Sequence, residues 1–184
     1  MVQRDGIGLE RKFCALDQEF DLKSGCRIGG YASLFGKADQ GGDIVQKGAY
    51  AASLKAMSKA GRKVKMLWQH DPTQPIGVWD EVREDTKGLW VEGRILPDLR
   101  VGAEALALLK AGAIEGLSIG YRTIRATKAS EGRRLLHELD LWEVSLVTFP
   151  MLPEARVEAE AKADDHLAQA LAEAIRAARQ QLLA

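Results

Sequence analysis

Cysteine and long apolar runs are scarce in this sequence of 184 residues. The two cysteines, Cys14 and Cys26, belong to no Cys-x-x-Cys motif and no Cys/His cluster, so we expect neither a disulfide framework nor a metal site. No apolar run reaches the ~18 residues that a membrane helix needs, and the first residues lack the apolar segment of a signal peptide. These absences predict a soluble, intracellular protein that uses no metal and no cofactor.

Net charge is absent as well. Lysine and arginine together number 26, as do aspartate and glutamate, so the formal net charge is zero. The basic pairs at residues 62–63 and 133–134 are short and are expected to be solvated loop charges. The sequence therefore predicts neither a nucleic-acid partner nor a membrane partner.

Short alternating segments, separated by glycine-rich or polar turns, fill most of the chain and predict strands. They lie around residues 13–15 and at 27–35, 43–45, 64–69, 76–82, 89–95, 116–124 and 135–149. Helical spacing and a terminal glycine predict two helices, at residues 48–60 and 101–111. Because the strands follow one another directly, we predict a mainly β (α+β) fold. A closed or nearly closed β-barrel with surrounding helices suits this order better than a doubly wound α/β sheet.

The composition changes near residue 153. Residues 153–184 are rich in alanine and almost free of glycine, which favours one long C-terminal helix. Its weakly apolar face is expected to dock on the barrel or on another chain. We therefore divide the chain into a barrel domain, residues 1–152, and a helical appendage, residues 153–184.

Histidine is also rare, since the chain contains only His70, His137 and His166. His70 comes directly after the apolar strand predicted at residues 64–69. The Asp71-Pro72 pair that follows it is expected to force a turn. By itself this position suits a structural histidine as well as a catalytic one.

Ser118 is flanked by Gly116 and Gly120. Such glycines open space around a hydroxyl and let backbone amides approach a substrate carbonyl. The pattern looks like the Gly-x-Ser-x-Gly elbow of α/β-hydrolases, but that elbow needs a strand before the serine and a helix after it. Here a helix precedes Ser118 and a strand comes after it, so we reject the elbow.

Glu143 falls on the apolar face of the strand predicted at residues 135–149. A carboxylate facing a core is costly unless it is paired or hydrogen-bonded. Its partner is expected to be either a histidine imidazole or an arginine such as Arg94 or Arg122. A histidine partner would complete the set of nucleophile, base and orienting acid that serine hydrolases use.

Four blocks of sequence succeed one another along the chain. They are Gly-Tyr-Ala at 30–32 with Gly-Asp-Ile-Val-Gln-Lys-Gly-Ala-Tyr at 42–50, Leu-Trp-Gln-His-Asp at 67–71 with Pro-Ile-Gly at 75–77, Gly-Leu-Ser-Ile-Gly-Tyr at 116–121, and Glu-Val-Ser-Leu-Val-Thr-Phe-Pro at 143–150. In this order they resemble the prohead maturation proteases of tailed bacteriophages, a group related to the herpesvirus assemblins. The resemblance covers residues 29–155.

The resemblance implies an assemblin-type barrel and a serine endopeptidase in which His70 and Ser118 match the histidine and serine of the family. Assemblins use a second histidine as the third member. Here the matching strand carries Glu143, which we favour over His137, while Asp140 falls on the opposite face of a regular strand. The oxyanion donors are expected near Ser118 or after the third strand, around residues 148–149.

The resemblance also implies a substrate and a location. The substrate would be the major capsid protein with its scaffold segment, cleaved inside the immature head in the bacterial host cytoplasm. The C-terminal helix would serve self-association or scaffold contact. One alternative is an inactive scaffold or head-assembly protein that retains the protease fold. Another is a general esterase or hydrolase.

Overall fold

The computed structural model describes residues 10–15, 26–129 and 132–149. Within them the chain is mainly β, with eight strands and two helices. In chain order these are β1 (Glu10–Ala15), β2 (Arg27–Leu34), β3 (Asp43–Val45), α1 (Ala51–Lys59), β4 (Lys65–Trp68), β5 (Asp71–Glu84), β6 (Gly88–Ile95), α2 (Arg100–Lys110), β7 (Gly116–Lys128) and β8 (Arg134–Val147). The predicted helix at residues 153–184, and with it the division into two domains, lies outside the described residues.

The strands form one sheet in the order β1-β7-β8-β4-β5-β6-β2, with β3 also beside β8. The pairs β3–β8 and β4–β8 are parallel, and the others are antiparallel. Register shifts interrupt four of the ladders, and such bulges bend and twist a sheet. The sheet curls until β1 and β2 approach each other, yet no ladder joins these two strands in the described residues. The mainly β class is therefore confirmed, and the predicted barrel is observed as a curled, open sheet.

The apolar residues of the alternating segments line the inside of this curl. Trp79 and Leu141, which are 2% and 0% exposed, are typical of the core. Burying one such side chain contributes about 1.5–3 kcal/mol. The helices cover the core with Met57 from α1 and with Leu106 and Leu109 from α2.

Both helices end as the sequence predicts. Gly61 and Gly112 have φ values of 63° and 67°, the left-handed conformation that glycine supplies at a helix C-terminus. Arg62 N–H then donates to Met57 O, which satisfies a carbonyl of the last turn of α1. Neither helix in the described part of the chain is long and apolar enough to cross a membrane.

Candidate active site

His70 lies in a turn between β4 and β5, not at the end of a strand. Trp68 pairs with Asp71, so Gln69 and His70 alone connect the two strands. Their φ values are 52° and 62°, and positive φ at both central residues characterises the type I′ hairpin turn. The expected turn at Asp71-Pro72 is therefore wrong, because these two residues begin β5. Pro72 is tolerated near the start of the strand, where its missing N–H interrupts little of the ladder.

Contacts from β8 and the residue after it hold this turn. Gln69 N–H donates to Leu146 O at 3.0 Å, and the Gln69 side chain donates to Thr148 Oγ1 at 2.6 Å. His70 N–H donates to Ser145 Oγ at 3.2 Å. Non-glycine residues with left-handed backbone cost about 1–3 kcal/mol each and persist only where the surroundings fix them. Here the fixed conformation places the imidazole in contact with side chains of β7 and β8.

Ser118 lies near the start of β7, between its partners on β1 and β8. The side chain is fully buried. Ser118 Oγ is 2.6 Å from His70 Nε2, a hydrogen-bond distance between residues 48 apart in sequence. The structure thus brings together the serine and the histidine that the sequence analysis singled out.

Glu143 lies on β8, directly opposite Gly120 of β7. Glu143 Oε1 is 2.5 Å from His70 Nδ1, and the two side chains are only 6% and 4% exposed. Of the two partners expected for this carboxylate, the histidine is the one observed. The arginines pair elsewhere, Arg94 with Asp80 at 3.5 Å and Arg122 with Asp140 at 3.2 Å.

Gly120 has a role that the sequence analysis missed. A Cβ atom at this position would stand 2.1 Å from Glu143 Oε1. The missing side chain therefore makes room for the carboxylate rather than for the Ser118 hydroxyl. A glycine two residues after a candidate serine was the available signal, but the cross-strand register that gives it meaning is not contained in the local sequence.

The two contacts of the His70 imidazole determine which ring nitrogen donates a hydrogen bond and which accepts one. An ionised Glu143 accepts a hydrogen bond from Nδ1–H, which leaves the Nε2 lone pair to accept the Ser118 O–H. This is the arrangement in which an imidazole removes a proton from a serine hydroxyl while a carboxylate stabilises the imidazolium. The geometry can therefore support nucleophilic attack by Ser118.

The other candidate acids and bases lie away from this chain of contacts. His137 Nε2 is 2.8 Å from Thr127 Oγ1. Asp140 Oδ2 accepts from Arg122 and from the Trp142 indole. His166 lies outside the described residues.

Asp71 comes directly after His70 and carries a negative charge. The Thr73 hydroxyl, the Thr73 N–H and the Gln74 amide all donate to its carboxylate. These hydrogen bonds, with the Thr73 hydroxyl first, lower the pKa of Asp71 below its ordinary value of 3.8. Among the described residues, no group of three or more His, Cys, Asp or Glu side chains is placed to hold a metal ion.

The chain is similar in sequence to known phage proteins. The chain is 35% identical over 138 residues to the prohead protease of Enterobacteria phage HK97, a match that covers 73% of this chain and 60% of that protein. It is 31% identical over 102 residues to the capsid polyprotein of Pseudomonas phage PAJU2, covering 51% of this chain and 15% of that protein.

A solved structure shares the fold. The capsid assembly protease of bacteriophage T4 superposes with a TM-score of 0.64 at 16% identity, over 77% of this chain and 98% of that one. The present chain spans about 60% of the length of the HK97 protein. The family model described as caudovirus prohead serine protease matches residues 16–170. Since that match takes in most of the chain, the protein belongs to the caudovirus prohead serine protease family.

Proposed function

We propose that this protein is a serine endopeptidase that cleaves capsid or scaffold protein during maturation of a tailed-phage head. The observation that carries the proposal is the continuous chain of contacts Ser118–His70–Glu143, with distances of 2.6 Å and 2.5 Å. Ser118 and Glu143 lie 48 and 73 positions from His70 in sequence, yet the three side chains meet in one buried line. The family assignment supplies the reaction class to which this line is suited.

In the proposed mechanism Ser118 Oγ attacks the carbonyl carbon of the scissile peptide bond while His70 Nε2 takes the hydroxyl proton. The tetrahedral intermediate collapses, His70 gives that proton to the leaving amine, and an acyl-enzyme forms on Ser118. Water then attacks the ester with His70 again as base, and the acid product leaves. Glu143 holds the imidazole in the required tautomer and stabilises its charged form throughout.

The oxyanion donors proposed for this mechanism are backbone amides. Candidates lie beside Ser118 and at Thr148 and Phe149, just past the end of β8. The hydrogen bond from Gln69 to Thr148 Oγ1 fixes that segment against the turn that carries His70. Donors fixed in this way stabilise the developing oxyanion without reorganising during the reaction.

The names of the relatives support the proposed substrate and location. They are a prohead protease, a capsid polyprotein and a capsid assembly protease. We therefore propose that the major capsid protein and its scaffold segment are the substrates, and that cleavage takes place inside the immature head in the host cytoplasm. Self-association or scaffold contact through residues 153–184 belongs to the same proposal.

The short distance between Ser118 and His70 also favours an active enzyme over an inactive scaffold protein. A chain that kept only the fold would have no need to preserve two short contacts on a buried histidine. Against a general esterase, the strand that comes after Ser118 is not the helix that the α/β-hydrolase elbow requires.

The proposal is tested by coexpressing the protein with the major capsid protein of the same phage head and measuring capsid length by mass spectrometry. Wild-type protein is expected to produce a shortened capsid chain with one defined new terminus. Ser118→Ala is expected to lower cleavage by at least about a thousandfold, as loss of a triad nucleophile does. The circular dichroism spectrum of this variant should match the wild type. Undiminished cleavage by Ser118→Ala would overturn the assignment, and hydrolysis of small esters without capsid cleavage would favour the esterase.

A further inference from the structure

Ser145 lies on β8, directly opposite Ser118 of β7, and its side chain is fully buried. Its hydroxyl makes two contacts with the chain Ser118–His70–Glu143. Ser145 Oγ donates to Glu143 Oε2 at 2.5 Å, and it accepts the His70 backbone N–H at 3.2 Å. It therefore touches the acid and the base at once without lying between their reacting atoms.

These contacts close a ring. The carboxylate of Glu143 binds the His70 ring through Oε1 and the Ser145 hydroxyl through Oε2. That hydroxyl then returns to the backbone of His70. A serine hydroxyl has one proton to donate and two lone pairs that accept, so it satisfies a carboxylate oxygen and a buried N–H together. A carboxylate oxygen or a backbone N–H is costly to bury unless it is hydrogen-bonded, and the Ser145 hydroxyl bonds to one of each.

We infer that Ser145 is a positioning residue that holds Glu143 and the left-handed turn of His70 in register with each other. Without it, the carboxylate loses the hydrogen bond at Oε2 that helps to fix its rotation, and the turn loses one of the β8 contacts that hold its backbone. The role acts through Glu143 and His70, and it rests on the proposed function for its consequence in catalysis. The ring itself is a property of the fold.

Ser53 offers a matched control. It is also a buried serine, 8% exposed. Its hydroxyl also accepts a β8 backbone N–H, that of Leu141 at 3.0 Å, and contacts a carboxylate, that of Asp140 at 3.5 Å. Neither partner belongs to the proposed triad. Ser53 lies on α1, so Ser53→Ala removes a serine bridge of the same kind to the same strand, β8. It measures how much the loss of such a bridge affects the fold alone.

The first measurement is the second-order rate at which a fluorophosphonate probe labels Ser118 in the full-length protein. In that reaction Ser118 Oγ bonds to phosphorus, fluoride leaves, and the hydroxyl proton passes to His70 Nε2. We expect Ser145→Ala to lower the rate about ten- to a hundredfold, the range typical of losing a supporting hydrogen bond to a reacting group. Ser145→Cys has the same branching as serine and a slightly larger side chain but donates weakly, and its labelling rate is expected to fall nearly as far. Ser53→Ala should stay within about threefold of the wild type, since neither Asp140 nor Leu141 belongs to the proposed triad.

A rescue variant distinguishes the effect of losing the Ser145 hydroxyl from the effect of changing the side-chain volume. Ser145→Thr restores the hydroxyl, and it is expected to recover most of the labelling rate in protein that melts within a few degrees of the wild type. Equal labelling rates in wild type, Ser145→Ala and Ser145→Cys would overturn the inference while leaving the proposed function intact. So would parallel losses in Ser145→Ala and Ser53→Ala, because these would mark a general effect on the fold.

A second readout does not depend on activity. The proton between His70 Nδ1 and Glu143 is observable by NMR as a downfield resonance, and we expect it to broaden or move in Ser145→Ala but not in Ser53→Ala. If wild-type Ser118 resists labelling while this resonance still depends on Ser145, the proposed function fails and the positioning role stands. A resonance that is unchanged in Ser145→Ala contradicts the positioning role, whatever the labelling rates.

Discussion

At the scale of single residues, Gly120 shows how an absent side chain can shape a site. It faces Glu143 across the β7–β8 ladder, where the carboxylate occupies the volume that a Cβ atom would need. In this position the Glu143 carboxylate contacts both His70 and Ser145. A residue without a side chain therefore provides the space for the acid of the proposed triad.

Gly120→Ala is predicted to lower the labelling rate of Ser118 by about a hundredfold, because Glu143 must leave His70. Overpacking a buried site costs about 1–3 kcal/mol of unfolding free energy, which denaturant titration measures. Gly29→Ala is the control, since a Cβ there meets its nearest atom, Val91 O, at 3.3 Å. Unchanged labelling in folded Gly120→Ala protein would contradict the prediction.

At the scale of elements, two turns of this fold are held in place by hydrogen bonds. The β4–β5 turn presents His70, and the β5–β6 connection is built around Asp85. The Asp85 carboxylate accepts the N–H groups of Lys87 and Gly88 and the hydroxyl of Tyr31 at 2.6 Å. The last contact ties β2 to the connection at the edge of the sheet.

This arrangement predicts a pH dependence of stability. The Tyr31 hydroxyl is the first cause that lowers the pKa of Asp85, from its ordinary 3.8 to about 2. The pKa of Asp85 is lower in the folded protein than in the unfolded chain. Asp85 therefore contributes to the free energy of unfolding above pH 3.8, and this contribution is lost as the pH falls toward 2. Tyr31→Phe is predicted to raise the pKa of Asp85, as read from the pH titration of its carboxyl ¹³C resonance. A titration midpoint that does not move would show that the backbone donors suffice.

At the scale of the whole molecule, the sequence predicted strands and helices but not the order of the strands in the sheet. Alternation predicted most of the strands and the terminal glycines predicted both helix ends, because these signals are local. The meeting of His70, Ser118 and Glu143 was expected from the order of the blocks and not from their spacing. The turn at Gln69, the space at Gly120 and the bridge at Ser145 depend on cross-strand register. Where ladders contain bulges, the register between strands is set by tertiary packing. It therefore cannot be predicted from the sequence around each residue.

The composition of the chain leads to a prediction at the same scale. Residues 153–184 differ from the rest of the sequence, and we predict that they are dispensable for chemistry but needed for incorporation into heads. A protein ending at residue 152 should label at Ser118 at the wild-type rate and be depleted from purified proheads. A folded truncated protein that no longer labels would contradict this prediction, and full-length protein carrying Ser118→Ala serves as the unlabelled control.

The position of β8 as the last strand of the described chain delays assembly of the proposed triad during synthesis. His70 leaves the ribosome first and Ser118 second, but Glu143 comes 73 residues after His70. At about 5–20 residues per second, translation delays the acid by about 4–15 s. Between the synthesis of Ser118 and that of Glu143, the nascent chain holds the proposed nucleophile and base but lacks the strand that carries the acid. The proposed protease therefore gains its orienting acid only when this strand is in place.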